Sequence, residues 1–492
     1  MFQDATTTEI EAAMQRAYAA FLHYRHTSGK DKAVFIRTVA DEVEATGDAI
    51  IAVAMRETHL PADRLLGERA RTCFQLRNIA DVVEEGSWVE ATIDTALPDR
   101  RPLPKPDIRN MSVPIGPVVV FGASNFPFAY STAGVDPASA WGAGCPVVVK
   151  AHPAHPETSE MVANAVKRAI AKTGMPEGIF EHVHGAGFEV GTALVLHPKT
   201  AAVGFTGSYA GGKALFDLAA KRPVPIPVFA EMGSINPVFL LEGALQTEAE
   251  KYAKLYAASI TGGMGQFCTK PGLLIGIEGD GLTAFERILA GEISRIAPVA
   301  MLHPGIAKAF RANRSEVLIQ KTVTIQGETV LAYGENDGIP SVASVSAGAF
   351  MNNPALHREV FGPFSLLVKC RDAAEMKEVI SHLEGQLTCT VIGSAQDLAQ
   401  AAELVAAVSL LCGRLIVNGV PTGVEVGAAM QHGGPFPAST DGRFGSVGPH
   451  AMKRFVRPLA FQNFPTHLLP DELKDGNPLD IWRRVNGHWG KD

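Results

Sequence analysis

Between residues 117 and 241, short apolar runs alternate with amphipathic segments, and few folds accommodate that alternation. Val118-Val119-Val120-Phe121, Val147-Val148-Val149, Ile179-Phe180 and Ala202-Val203-Gly204-Phe205 read as buried strands, with helices expected around residues 159–172 and 211–220. Strands alternating with helices build βαβ units about a parallel sheet. Such a sheet takes its ligands beyond the carboxyl ends of its strands. The loops Gly122-Ala123-Ser124-Asn125, Lys150-Ala151-His152 and Thr206-Gly207-Ser208 fall there, so three polar loops are expected along one edge.

The remaining chain adds further units, because 492 residues are too many for one hydrophobic core and predict two or three packed domains. The N-terminal region carries helical stripes, first through Ile10, Ala13, Met14, Ala17, Phe21 and Leu22, then through Val34, Phe35, Val39, Val43 and Ile50. Between Asp94 and Pro117 stand Pro98, Pro102, Pro104, Pro106, Pro114 and Pro117, which do not suit helix interiors or central strands. That stretch reads as an exposed arm. After Glu231 the alternation resumes, with strands expected at residues 238–241, 364–368, 390–392 and 415–417 and a helix at 249–259. Residues 461–492 lack clear periodicity and are expected to pack on another element or on a neighbouring subunit.

Charge and composition narrow the partners. The net charge of −7 is dispersed and leaves no basic stripe for nucleic acid. No apolar run is long enough to span a bilayer and no charged-then-apolar leader opens the chain, so a cytoplasmic protein with small-molecule partners and no membrane contact is expected. Cys73, Cys145, Cys268, Cys370, Cys389 and Cys412 lack CxxC spacing, which suggests neither a metal site nor a disulfide framework.

Two residues carry chemistry. Cys268 closes the turn Gly265-Gln266-Phe267-Cys268, and Glu231 stands in the apolar setting Phe229-Ala230-Glu231-Met232-Gly233. A thiol nucleophile with a carboxylate base is the pair needed to trap an aldehyde covalently and then hydrolyse the product. Thr206-Gly207-Ser208-Tyr209-Ala210-Gly211-Gly212 follows a strand and opens a helix, so its N–H groups can receive a pyrophosphate. Glycine at a strand-to-helix turn also has a purely steric reading. Lys150 closes an apolar run and must reach solvent or meet an anion, for which a cofactor ribose or phosphate is the natural choice.

Taken in order, Ser124-Asn125-Phe126-Pro127, Val149-Lys150, Phe205-Thr206-Gly207-Ser208, Glu231-Met232-Gly233, Gly265-Gln266-Phe267-Cys268 and Glu359-Val360-Phe361-Gly362-Pro363 resemble the aldehyde dehydrogenase superfamily. The resemblance implies an α/β fold with a Rossmann-like cofactor domain (residues 1–95 and 115–232), a catalytic domain (233–455) and an oligomerisation element (96–114 and 456–492). It also implies a homodimer or homotetramer. Cys268 would be the nucleophile, Asn125 the oxyanion donor together with the Cys268 N–H, and Glu231 the base for water. Lys150, His152, Pro153, Gly207, Ser208, Gly212, Gly233, Glu359 and Phe361 would form the cofactor site, with no metal. Many NAD-using relatives carry a glutamate where Pro153 stands. Its absence removes repulsion against a 2′-phosphate that Lys150 and His152 could face, which favours NADP over NAD.

A narrower resemblance, to the 2,5-dioxopentanoate (2-oxoglutarate semialdehyde) dehydrogenase branch, rests on residues 150–156, 231–237, 431–440 and Gly67-Glu68-Arg69-Ala70-Arg71-Thr72. It implies NAD(P)-dependent oxidation of that semialdehyde, with a fatty aldehyde dehydrogenase as the alternative and a Cys/Glu hydrolase as the alternative of another class. Phe128 and Phe436 are the candidate pocket walls.

Overall fold

The structure is a computed structural model that describes residues 2–491. The valine-rich runs form a five-stranded, fully parallel sheet in the order Phe180–Val183, Val147–Lys150, Val118–Phe121, Ala202–Thr206, Val228–Glu231. Val118, Val119, Val147, Val148 and Val149 are buried on both faces, as a sheet covered by helices on each side requires. The chain leaves Val118–Phe121 in one direction for two strands and then returns to its other side with Ala202–Thr206. That reversal opens a crevice between the ends of Val118–Phe121 and Ala202–Thr206, where ligands of such sheets bind.

A second sheet of seven strands runs Thr324–Glu328, Ser341–Ser346, Phe364–Cys370, Leu273–Ile277, Val238–Leu240, Gln386–Ile392, Cys412–Val417. All its pairings are parallel except that of the edge strand Thr324–Glu328. Separate apolar clusters cover its two faces, one around Phe239, Phe310 and Phe350 and one around Tyr252, Tyr256 and Phe285. Residues 232–237 are the crossing from the first sheet to the second, and they bring Glu231 to the border between them.

Two expectations change, and a third takes definite form. Ile179 belongs to a single tight turn, and the strand begins at Phe180. The proline-rich stretch is only partly an exposed arm, because Ile108–Pro114 is an inner strand between Thr92–Asp94 and Val456–Gln462. Its prolines fall before the strand, at its last residue or after it, so no inner hydrogen bond is lost. The unpatterned tail supplies Arg483–Val485 and His488–Gly490 to the same five-stranded sheet, with Thr92–Asp94 at its centre. Short strands of this kind carry too few alternations to show in sequence.

Among the described residues, no helix is long and apolar enough to cross a membrane. The helix Ala62–Glu85 ends at Gly86, whose φ of +88° suits a residue without Cβ. Arg64, Glu68 and Arg71 are four and three residues apart along it and therefore share one stripe. The C-terminal turn Pro449–Phe455 is tied beneath the first sheet by Arg454, whose Nη2 lies 2.7 Å from Asp136 Oδ1, with both side chains almost wholly buried. Asp136→Ala strands a buried guanidinium and is expected to destabilise the protein by about 3–5 kcal/mol in urea unfolding.

Candidate active site

The loop that carries Cys268 is shaped by positive backbone angles. The helix Glu242–Thr261 runs into the turn Gly262–Gly265, where Gly263, Met264 and Gly265 all have φ above +50°. A Cβ on Gly265 would lie 2.3 Å from the carbonyl oxygen of Gly362, so only glycine lets this loop rest on the Glu359–Gly362 turn. Asn236 then clamps it to the crossing segment. Its Nδ2 donates to the carbonyls of Cys268 at 2.9 Å and Lys270 at 3.0 Å, while Oδ1 accepts from Thr388 and Ser234. Asn236 has φ +46°, a conformation asparagine tolerates better than most residues.

This arrangement puts three reactive side chains together. Cys268 Sγ lies 3.6 Å from His432 Nε2, and His432 Nδ1 lies 2.7 Å from Glu231 Oε2 without the alignment of a hydrogen bond. Ser446 Oγ donates to the same carboxylate oxygen. Glu231 Oε1 is buried and has no hydrogen-bond partner among the described residues. Burial pushes the Cys268 thiol well above its ordinary pKa, and the charges of Glu231 and Glu359 push the same way. Burial alone would raise Glu231 too, but His432, Ser446 and Cys268 outweigh it and hold the carboxyl below its usual value. The resting pair is therefore a thiol beside a carboxylate. The donor atoms of Glu231, Cys268 and His432 lie within 4.8 Å of one another, as do those of Glu160, His182 and His184, so two sets that could share an ion exist where spacing in sequence suggested none.

Asn125 faces the thiol's loop, with Nδ2 donating to the carbonyl of Gln266 at 3.1 Å. The stripe on helix Ala62–Glu85 holds Asn125's loop from behind. Arg64 Nη2 donates to the Asn125 carbonyl at 2.7 Å, and Glu68 Oε1 accepts from the N–H groups of Phe128 and Ala129. The Arg64 guanidinium sits over the rings of Phe126 and Phe267, at 5.0 and 4.8 Å.

The crevice of the first sheet has features that fit a dinucleotide. Ser208 caps the helix Tyr209–Ala220, its Oγ accepting from Gly211 N, so the helix presents its positive end there. Thr206 Oγ1 is buried without a partner among the described residues. A Cβ would lie 2.6 Å from the Phe205 ring at Gly207, 2.6 Å from Met232 at Gly212 and 2.3 Å from the Glu359 carboxylate at Gly233. Lys150 is buried, its ammonium donates to the Ala151 carbonyl at 3.3 Å, and burial draws its pKa below the lysine range. Glu359 and Lys270 share a buried region in which burial raises the carboxyl and lowers the ammonium, each restrained by the other's charge.

Two expected pocket walls land elsewhere, and the loop after Lys150 differs in character from what sequence suggests. His152 stacks on His155 at 5.4 Å and accepts from Ala154 N, and burial, with His155, His303 and Lys150 nearby, holds it well below the ordinary histidine range. A neutral ring brings no charge to a 2′-phosphate. Pro153 is exposed at the adjoining turn. Phe128 is fully buried in the core beneath the first sheet rather than beside the thiol, while its neighbours Phe126 and Tyr130 are the aromatics near the site. Phe436 packs edge-on against Tyr209 at 6.2 Å, which puts it beside the helix end of the cofactor crevice. Sequence reasoning gave no role to His432, Arg64, Glu68 or Arg71. The available signal was the helical spacing of the last three and a lone histidine in Gln431-His432-Gly433-Gly434.

Residues 1–458 match the aldehyde dehydrogenase family. The chain belongs to that family. It is 48% identical over 487 residues to alpha-ketoglutaric semialdehyde dehydrogenase 2 of Azospirillum brasilense, covering 99% of this chain and 93% of that protein. It is 45% identical over 493 residues to alpha-ketoglutaric semialdehyde dehydrogenase of Acinetobacter baylyi, covering 99% and 92%. The fold matches a solved 3,6-anhydro-L-galactose dehydrogenase, a complex with NADP, at a TM-score of 0.79 and 21% identity over 94% of this chain and 92% of that one. At that identity the likeness is one of fold. As a family member the protein is an aldehyde dehydrogenase that works with NAD(P).

The electrostatics give a signed prediction. Glu231→Gln removes the nearest negative charge, so the Cys268 pKa falls and the thiolate fraction near neutral pH rises. Iodoacetamide labelling of Cys268 at pH 7, without aldehyde, is expected to be several-fold faster than in the parent, and slower labelling would refute this picture.

Proposed function

We propose that this chain oxidises 2-oxoglutarate semialdehyde to 2-oxoglutarate, with NADP favoured over NAD. The observation that carries the chemistry is the grouping of Cys268, His432, Glu231 and Asn125 at the border of the two large sheets. The near-full-length relationship to two alpha-ketoglutaric semialdehyde dehydrogenases supports the substrate. Cys268 adds to the aldehyde carbon and its proton passes to His432 Nε2, the basic atom within reach when the ring carries its other proton on Nδ1 beside Glu231. Asn125 Nδ2 and the N–H of Cys268 steady the developing oxyanion, a contribution of about 2.7–4 kcal/mol per donor in such sites. A nicotinamide held in the crevice would supply the hydride acceptor that lets the thiohemiacetal on Cys268 become a thioester. Glu231 Oε1 takes a proton from water, whose oxygen attacks the thioester carbon, and the C–S bond breaks to release the acid and free Cys268.

For the cofactor, Pro153 leaves no acid to repel a 2′-phosphate, and with His152 neutral the balancing charge rests on Lys150. Glu359 and Phe361 fit the nicotinamide end, since the Glu359 carboxylate abuts Gly233 beside the crevice. Leu103, Leu468, Trp482 and Trp489 are exposed on and around the small sheet, which supports a homodimer or homotetramer.

The Cys268–His432–Glu231 grouping also matches a cysteine hydrolase, and the requirement for oxidised cofactor separates the readings. Phe126 and Phe267 near the thiol leave room for the fatty-aldehyde alternative. Rates of NADPH and NADH formation with 2-oxoglutarate semialdehyde beside hexanal are expected to favour the semialdehyde and NADP. A winning alkanal would transfer the assignment to fatty aldehydes, and turnover without cofactor would transfer it to hydrolysis. Cys268→Ala is expected to abolish oxidation while cofactor binding persists. Glu231→Gln is expected to keep the first-turnover burst and slow the steady state by about 10²–10⁴. Loss of the burst would assign the carboxylate to activating the thiol through His432.

A further inference from the structure

The face of helix Ala62–Glu85 that backs the oxyanion loop ends in a cation with unused hydrogen-bonding capacity. Arg64 and Glu68 of this stripe are committed to the Asn125 carbonyl and to the N–H groups of Phe128 and Ala129. Arg71 is not committed in this way. Its guanidinium lies 5.9 Å from the Tyr130 ring centre, and its Nε is buried with no hydrogen-bond partner among the described residues. The hydroxyl of Tyr130 is likewise buried and without an aligned partner. The Tyr130 ring is 6.1 Å from that of His432, whose Nε2 is 3.6 Å from Cys268 Sγ, so Tyr130 stands between Arg71 and the reacting end of the site.

A second guanidinium belongs to the same neighbourhood. Arg414 lies on Cys412–Val417, directly after Gly413, where a Cβ would collide with the Gly433 carbonyl next to His432. Its Nη atoms hold the carbonyls of Pro421 and Gly423, which fixes the side chain while leaving its charge without a carboxylate partner among the described residues. The charges of both arginines are felt at Cys268. Two half-buried guanidinium groups beside a buried phenol leave hydrogen-bonding capacity that an anion with several acceptor oxygens would satisfy.

We infer that Arg71, Tyr130 and Arg414 form the anchor for the distal carboxylate of an aldehyde acid, with Arg71 as the principal determinant of specificity. This rests on the substrate reading above. In 2-oxoglutarate semialdehyde, four bonds of about 1.5 Å separate the aldehyde carbon from the carboxylate carbon, an extended span of about 5 Å. That length reaches from a carbon on Cys268 past His432 towards Tyr130 and Arg71. An uncharged aldehyde of the same length gains nothing from the anchor and leaves the two cations without an anion.

The test compares kcat/KM for 2-oxoglutarate semialdehyde and for pentanal in the parent and in Arg71→Met, which keeps the apolar stem. The parent is expected to prefer the semialdehyde strongly; a ratio near one would remove the substrate reading and this inference together. With that preference in place, Arg71→Met is expected to lower the ratio at least 30-fold, mainly through KM for the semialdehyde, with Arg71→Lys and Arg414→Met intermediate. An unchanged ratio, or equal losses on both aldehydes, would overturn the anchor and leave the substrate reading standing. Should Arg71→Met fail to fold, the parent still decides the matter. With pentanal as substrate, 2-oxopentanoate is expected to inhibit competitively and its methyl ester at least tenfold more weakly. Equal inhibition by the two, or none by either, would overturn the inference.

Discussion

The side chain of Asn236 is the join on which the active site depends. Cys268 belongs to a loop before one strand of the seven-stranded sheet, while Glu231 ends a strand of the parallel five-stranded sheet. Neither sheet alone holds both. Asn236 stands in the crossing between them, and its amide uses both donors and its oxygen to bind the Cys268 loop, Ser234 and Thr388 at once. Gln386 completes the crossing by accepting from Ser234 Oγ and the N–H groups of Ile235 and Asn236. A buried network satisfied at every position specifies one geometry, because any alternative leaves donors or acceptors unpaired.

That geometry concentrates groups that would be costly apart. A thiol, an imidazole and a carboxylate with one unpaired oxygen occupy a single buried corner, and burial works against the thiolate as much as it favours proton transfer. Burial therefore favours the protonated thiol in the resting site, and His432 is the acceptor placed to take its proton. The opposite side of the oxyanion loop is stiffened by Arg64 and Glu68, so the loop's position is set from the helix behind it as well as from the sheet that carries it.

Some of this was legible in the chain. The valine runs at 118–121 and 147–150 announced a buried parallel sheet, because only strands covered on both faces are apolar at every position. The turn around Ser208 was readable for the same local reason, since an N-cap serine and the glycines after a strand are short-range signals. Short strands escaped notice. Thr92–Asp94, Arg483–Val485 and His488–Gly490 have three residues each, and their pairing joins parts of the chain that share no local pattern. The pocket walls were assigned by proximity in sequence, and the turn at 126–130 explains the error, since residues four apart share one side of it and the residue midway faces the other. Phe126 and Tyr130 are near the thiol, whereas Phe128 between them turns into the core.

Residue types and their order were enough to establish the α/β class, the family and the pairing of Cys268 with Glu231, since these follow from local periodicity and from motifs whose chemistry is carried by a few adjacent residues. Other features depended on contacts between distant segments. His432 lies 164 residues beyond Cys268 and meets it only because the C-terminal loop folds back across the end of Val228–Glu231. His152 looked like a phosphate partner in sequence, yet it stacks on His155, where burial and the charges of His155, His303 and Lys150 disfavour its protonated form. Electrostatic energies depend on distance and on how much water remains nearby, and neither quantity exists until the chain has folded.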